Sequence, residues 1–164
     1  MDKIVYKAIG IIRSPFKEAR GTPIQASAEG TASGRIELYP EYLPGLKDLD
    51  GFSHLILLYH FHKAGKGSLI VKPFLEDEEH GVFAVRAPSR PNSIGLSIVC
   101  LQRIEGNILY IDDLDILDGT PLLDIKPYVP AFDHRDNVKS GWLENNLDKL
   151  SITEDDGRFL KEEE

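Results

Sequence analysis

The 164-residue sequence predicts a mainly β chain, folded as a small, mostly antiparallel β-barrel with short helices, one of them near the C-terminus. Three observations predict it. Short apolar, β-branched runs recur along the chain. Gly, Pro, Asn and Asp clusters separate them. Helical spacing is confined to two segments. Many short strands joined by tight turns favour a closed or nearly closed antiparallel barrel over a sheet of alternating strands and helices.

In order, Val5 to Ile12 is apolar and β-branched and reads as a first strand. Arg35–Tyr39 alternates, with Ile36 and Leu38 on one face. His54 to Phe61 is a nearly continuous apolar run, and Leu69–Val71 and Val82–Val85 are shorter ones. Ile94 to Ile104 alternates, with Ile94, Leu96, Ile98 and Cys100 sharing a face. A Glu105-Gly106-Asn107 turn leads into Ile108–Ile111. Glu41–Leu46 reads as a single helical turn. Asp136 or Asn137 reads as the cap of a helix through Leu150, with Leu143, Leu147 and Leu150 on one face beside Val138 and Trp142.

The length suits one domain, and 41% hydrophobic content supplies a core without metal or disulfide. Residues 1–150 are expected to form that domain and 151–164 an acidic, disordered tail. Cys100, the lone cysteine, lies in an apolar run and reads as a small buried thiol. The charged N-terminus and the absence of a long apolar stretch predict a soluble, cytoplasmic protein with no membrane span. A net charge of −8 argues against a generic nucleic-acid binder, so any RNA contact has to be a local basic patch. His60 and His62 lie two apart, but no carboxylate or Cys stands beside them at ligand spacing, so no metal site is assigned.

Two dense motifs carry the chemistry. Gly81-Val82-Phe83-Ala84-Val85-Arg86 runs into Ser89-Arg90-Pro91-Asn92-Ser93-Ile94-Gly95. Asp115-Ile116-Leu117-Asp118-Gly119-Thr120-Pro121 runs into Leu123-Asp124-Ile125-Lys126-Pro127-Tyr128. Each reads equally as a turn and as a polar site at a strand end. In the second reading Arg86, Arg90 and Asn92 converge, and the guanidinium groups suit a carboxylate or phosphate. Asp118-Gly119 similarly caps a turn or holds a polar ligand with exposed backbone groups.

These motifs resemble the TrmO family, also called TsaA-like or YaeB/VirR. Ile9-Gly10-Ile11-Ile12-Arg13-Ser14-Pro15-Phe16-Lys17-Glu18 looks like its opening, and Asp50-Gly51-Phe52-Ser53-His54-Leu55 through Tyr59-His60-Phe61-His62 like its second block. The two dense motifs look like the third and fourth. The ending resembles the shorter, archaeal-type members. The resemblance implies a β-barrel homodimer that binds S-adenosylmethionine. It implies methylation of the N6 position of threonylcarbamoyladenosine next to the tRNA anticodon, at position 37. It implies cofactor contacts from Pro23, Ile24, Gln25, His62, Lys63, Arg86, Leu96, Asp118, Gly119, Thr120 and Pro121. Ile24 stands where the family often has Arg. Asn92, Asp124, Lys126 and Tyr128 are the candidates for catalysis, as groups holding the methyl acceptor. Two other readings stay open: the same cofactor with another acceptor, and a non-catalytic cofactor-binding or interaction module.

Overall fold

The computed structural model describes residues 3–24 and 32–161. Among the described residues eight strands run in chain order: β1 (Gly10–Arg13), β2 (Ala32–Leu38), β3 (His54–His60), β4 (Ile70–Val71), β5 (His80–Gly81), β6 (Ile94–Glu105), β7 (Ile108–Leu114) and β8 (Thr120–Pro127). Six of them close an antiparallel barrel in the order β1-β2-β7-β6-β3-β8, and β4 and β5 form a separate ribbon. The expected fold class is the observed one.

Alternation explains the barrel. On β3, Leu55, Leu57 and Tyr59 point inward, while Ile56 and Leu58 lie outside and half-buried. On β2, Ile36 and Leu38 are inside, as their spacing predicts. With Ile12, Val99, Leu109, Ile111, Leu114, Ile116 and Leu122 they make one core cluster. Each fully buried aliphatic side chain contributes roughly 1.5–3 kcal/mol of transfer free energy. Gly95 on β6 leaves room for this packing, because a Cβ there would meet the Tyr59 ring at 2.2 Å.

Several expectations are corrected. The first strand begins at Gly10, where partners on β2 and β8 become available; Ile4, Val5 and Tyr6 before it are exposed. Val82–Ala84 is a 3-10 turn, and pairing stops at Gly81. β8 is a strand that the apolar pattern did not announce, since Pro121, Asp124, Lys126 and Pro127 interrupt it. The apolar face shared by Ile94, Leu96 and Ile98 points outward; Gly95, Ser97 and Val99 face the interior. Cys100 shares that outer face and is only half-buried. The helix expected to Leu150 is instead two 3-10 turns, Gly141–Asn145 and Leu147–Lys149, and the only α-helical turn among the described residues is Pro130–Asp133. Gly141 has φ +59°, which an α-helix does not accommodate.

Residues 151–161 are no loose tail. Phe159 is buried with Val71, Val82 and Ala87 in a second core cluster. Bridges join Glu154 to Pro23 and Leu160 to Ala64. The expected disorder fails because Phe159 and Leu160 carry apolar surface that the acid count concealed. Glu162–Glu164 lie outside the described residues. Among the described residues no helix is long and apolar enough to cross a membrane.

Candidate functional site

A cavity of about 730 Å³ opens where the ends of β3, β6 and β8 meet the C-terminal segment. This is within the ~300–1,000 Å³ of small-molecule sites. Phe61, Phe74, Trp142 and Phe159 give it aromatic walls, and Lys63, Arg86, Arg90 and Asp115 give it charge.

Seven of the eleven expected cofactor contacts line it: Pro23, Ile24, His62, Lys63, Arg86, Leu96 and Thr120. They come from chain positions almost a hundred residues apart. Gln25 lies outside the described residues. Asp118, Gly119 and Pro121 are absent from the lining, for a physical reason. The Asp118 carboxylate accepts the Ser14 amide at 3.0 Å and pairs with Lys17 at 2.8 Å. Partial burial pushes its pKa up, but Lys17 and the Ser14 N–H outweigh this and hold it below the usual carboxylate range. The Gly119 N–H donates to the Ile12 carbonyl at 2.9 Å, and a φ of +77° makes glycine the natural residue there. The turn thus fastens β8 to β1 and presents Thr120 to the cavity. The Thr120 hydroxyl donates to the Leu117 carbonyl at 2.7 Å and lies 3.4 Å from the His62 ring.

β3 ends at His60, which leaves the exposed outer surface, and the chain then turns His62 into the cavity wall. Burial, followed by the charges of Lys63, His60 and Lys161, holds the His62 imidazole below its ordinary pKa of 6.5. This favours the neutral imidazole at pH 7. Arg86 is exposed at the cavity and makes no hydrogen bond or ion pair among the described residues. Arg90 differs: its guanidinium donates to the Val85 carbonyl at 2.6 Å and is tied into its own loop.

The four acceptor-side candidates do not line this cavity. Asn92 is exposed between Arg90 and Ile94, which do. Asp124 and Lys126 pair with each other at 2.8 Å on the outside of β8, opposite Leu58 and Ile56. The Tyr128 ring meets His54 edge-on at 6.4 Å.

Sequence reasoning missed two parts of the cavity. One is Asp115, which opened a quoted motif but was given no role. The other is the C-terminal segment, which contributes Trp142, Leu143, Leu150, Asp155, Phe159 and Leu160. The Trp142 ring stacks on His80 at 4.7 Å, and its N–H donates to the Ala84 carbonyl at 2.8 Å. Glu76 pairs with His80 and accepts the Asn146 amide at 3.0 Å. The apolar pair Phe159-Leu160 amid charges was the available signal.

The model of the tRNA-methyltransferase O N-terminal domain family matches residues 11–134. A probable S-adenosyl-L-methionine-binding protein of Pyrococcus abyssi is 60% identical over 157 residues, covering 96% of this chain and 85% of that protein. The tRNA (adenine(37)-N6)-methyltransferase of Homo sapiens is 37% identical over 153 residues, covering 88% of this chain but 34% of that enzyme. A crystal structure of TrmO from Pseudomonas aeruginosa superposes with a TM-score of 0.73 at 40% identity, covering 85% of this chain and 62% of that one.

Proposed function

This chain belongs to the tRNA-methyltransferase O family, and on that premise we propose that it is an S-adenosylmethionine-dependent methyltransferase acting on N6 of threonylcarbamoyladenosine at tRNA position 37. The observation that carries the reading is the convergence of Pro23, Ile24, His62, Lys63, Arg86, Leu96 and Thr120 on one cavity.

The residues fit the cofactor's chemistry. It has no phosphate, and no glycine-rich phosphate loop is needed. Phe61, Leu96, Trp142 and Phe159 offer the apolar slot that an adenine ring takes. Arg86 and Lys63, both on the cavity lining, each offer a cation to a carboxylate. When bound, S-adenosylmethionine supplies an electrophilic methyl group on a positively charged sulfur. The protein's part is mainly to hold donor and acceptor in line. The neutral His62 ring presents a nitrogen able to accept the acceptor's proton as it leaves.

The outer face of β3 and β6 completes the reading as a homodimer contact. Ile56 faces Ile98, and Leu58 faces Leu96. Ile94, Leu96 and Ile98 are 41–48% exposed, costly for a solvated strand. Asp124 and Lys126 border this face with opposite charges, which two copies related by a twofold axis can exchange. Ile94 and Leu96 also line the cavity, so the contact is continuous with its mouth. Of the four acceptor-side candidates, Asn92 adjoins the cavity and is kept for holding the acceptor, whereas Asp124 and Lys126 lie on the outer face and Tyr128 sits beside His54 at the far end of β3. A cytoplasmic reaction is part of the same proposal, and a tRNA substrate is consistent with it.

A second reading keeps the cofactor and changes the acceptor. It is favoured by the net charge of −8, since a tRNA backbone is itself anionic. Methyl transfer from labelled cofactor to tRNA, with and without the threonylcarbamoyl group, decides between them. Label only on the carbamoylated tRNA is the expected result. Label on neither, with the cofactor bound, would leave the second reading or the non-catalytic one.

A further inference from the structure

Four side chains stand in line across the outer wall of the barrel, and the strand register puts them there. Arg13 on β1 is opposite Arg35 on β2, Arg35 is opposite Tyr110 on β7, and Tyr110 is opposite Arg103 on β6. Residues paired in this way share a face of the sheet. Their chain neighbours Ile12, Ile36, Leu109 and Ile111 point into the core instead. Adjacent strands lie about 4.8 Å apart, so three strand steps give a row on the order of 14 Å long. Arg103 lies towards the end of β6 away from Ile94, outside the apolar stripe proposed for the homodimer.

Each arginine is oriented by an acid of the same wall. Glu37 accepts from Arg13 Nε at 3.0 Å and from Arg35 Nε and Nη2 at 3.0 and 2.8 Å. Glu105 accepts from Arg103 Nε at 2.6 Å, and the Arg103 guanidinium lies over the Tyr110 ring, 3.6 Å from its centroid. Among the described residues no hydrogen bond to a carboxylate uses the terminal nitrogens of Arg13 or Arg103. A guanidinium held by its Nε edge presents those nitrogens as a fixed fork, the geometry that suits a phosphate. Asp112, the next acid on β7, accepts the Ser33 hydroxyl at 2.5 Å. Acids thus balance much of the charge, and the wall offers an anion directed N–H groups rather than a large net field.

At its β1 end the row runs into a second concavity, of about 510 Å³, lined by Arg13, Lys17, Ser33, Arg35 and Asp118 among others. Asp118 belongs to the turn that presents Thr120 to the first cavity. The row therefore begins one turn of chain away from the cavity wall. A nucleic-acid strand carries one charge per nucleotide at a few ångströms' spacing, so several phosphates fall within the length of the row.

We propose that the outer wall formed by β1, β2, β7 and β6 is a binding surface for an RNA phosphate backbone, with Arg13, Arg35 and Arg103 as its phosphate contacts and Tyr110 positioning Arg103. This rests on the tRNA reading above and extends it. The methyl-accepting nucleotide enters the cavity, and the strand that carries it lies along the row. A chain with a net charge of −8 needs such a local cationic track to hold a tRNA.

The test measures binding of tRNA carrying threonylcarbamoyladenosine to the full chain over a range of salt concentrations, together with methyl-transfer kinetics. Wild type is compared with Arg35→Gln, Arg103→Gln, the double variant and, as a control, Lys47→Gln at an exposed lysine outside the row. A thermal melt establishes that each is folded. Each single arginine variant is expected to weaken tRNA binding by about fivefold, the scale of one exposed ion pair, and to lower the salt slope by about one. The double variant adds the two losses. KM for tRNA rises in step, while kcat at saturating tRNA and calorimetric S-adenosylmethionine affinity stay at wild type. Arg103→Lys keeps the salt slope and recovers part of the affinity, because the charge returns without the fork. A structural role would instead lower Tm and cofactor affinity together, and would overturn the proposal. An equal loss in Lys47→Gln overturns it as well, since any surface charge would then serve. So does displacement of tRNA by inorganic phosphate at matched ionic strength, which would mark a single anion site. Unchanged tRNA affinity and salt slope in the folded double variant remove the row and leave the tRNA reading standing. A wild type that binds the cofactor yet neither binds nor methylates tRNA removes that reading, and the row with it.

Discussion

Asp118 holds the Ser14 amide and the Lys17 ammonium, so this turn residue serves the fold first. Asp118→Ala is expected to destabilise the protein by about 1–2 kcal/mol in denaturant titration, the scale of a lost hydrogen bond to a charged acceptor. Cofactor affinity in the same variant stays near wild type, because the carboxylate is directed away from the cavity. A large affinity loss with intact stability would reverse the assignment. His62 gives a second expectation. Its folded pKa lies below the ordinary 6.5, so below about pH 6.5 the unfolded chain takes up this proton more readily than the folded one. The His62 share of stability is present above pH 6.5 and is lost as pH falls through the folded pKa. His62→Gln should flatten that part of the stability–pH curve; an identical curve would mean that other groups set it.

Among the elements, the C-terminal segment 141–161 has the largest consequence, and it lies outside the span matched by the family model. It is held over the cavity by polar anchors and one buried ring. Lys149 donates to the Leu75 carbonyl at 3.2 Å, Arg158 donates to the Pro73 carbonyl at 2.7 Å, and Phe159 meets Phe74 edge-on at 5.1 Å. Phe159→Ala is expected to cost about 3–5 kcal/mol of stability, as a core phenylalanine does. Trp142→Ala, at a half-buried stacked ring, should weaken S-adenosylmethionine binding by roughly tenfold, in line with an aromatic contact worth about 1–1.5 kcal/mol. If calorimetry finds Trp142→Ala binding as wild type does, the segment is a structural brace and not a wall of the site. The helix expected from Leu143, Leu147 and Leu150 illustrates how periodicity misleads. Three leucines at suitable spacing do not make a helix when Gly141 starts it with positive φ and the neighbouring surface demands a strap.

For the molecule as a whole, the proposed homodimer contact on the outer face of β3 and β6 yields a prediction about the state of assembly. Ile98→Asp places a charge in the middle of the apolar stripe without entering the core. The wild type is expected to sediment as a dimer at micromolar concentration and the variant as a monomer. A monomeric wild type would remove the homodimer, and the face would need another partner.

The local pattern of the chain was enough for the fold class, because period-two alternation and turn chemistry act within a few residues. Ile36 and Leu38 and the β6–β7 hairpin at Gly106 were legible for that reason, and so was a helical segment at Glu41–Leu46, although it is a 3-10 helix over Pro40–Leu46 and longer than the single turn expected. The resemblance of four ordered blocks was enough for the family. Only the tertiary structure decided which face of β6 is inside, because alternation gives Ile94, Leu96 and Ile98 as the more apolar face and yet Gly95, Ser97 and Val99 point into the barrel. Only it showed that β8 closes the barrel, since strand pairing satisfies backbone groups whatever the side chains are. And only it separated Thr120, in the cavity, from Asp118 two residues earlier, and brought Asp115 and Phe159 to the same cavity from 44 residues apart. Those outcomes depend on contacts between distant segments, and such contacts leave no periodic trace along the chain.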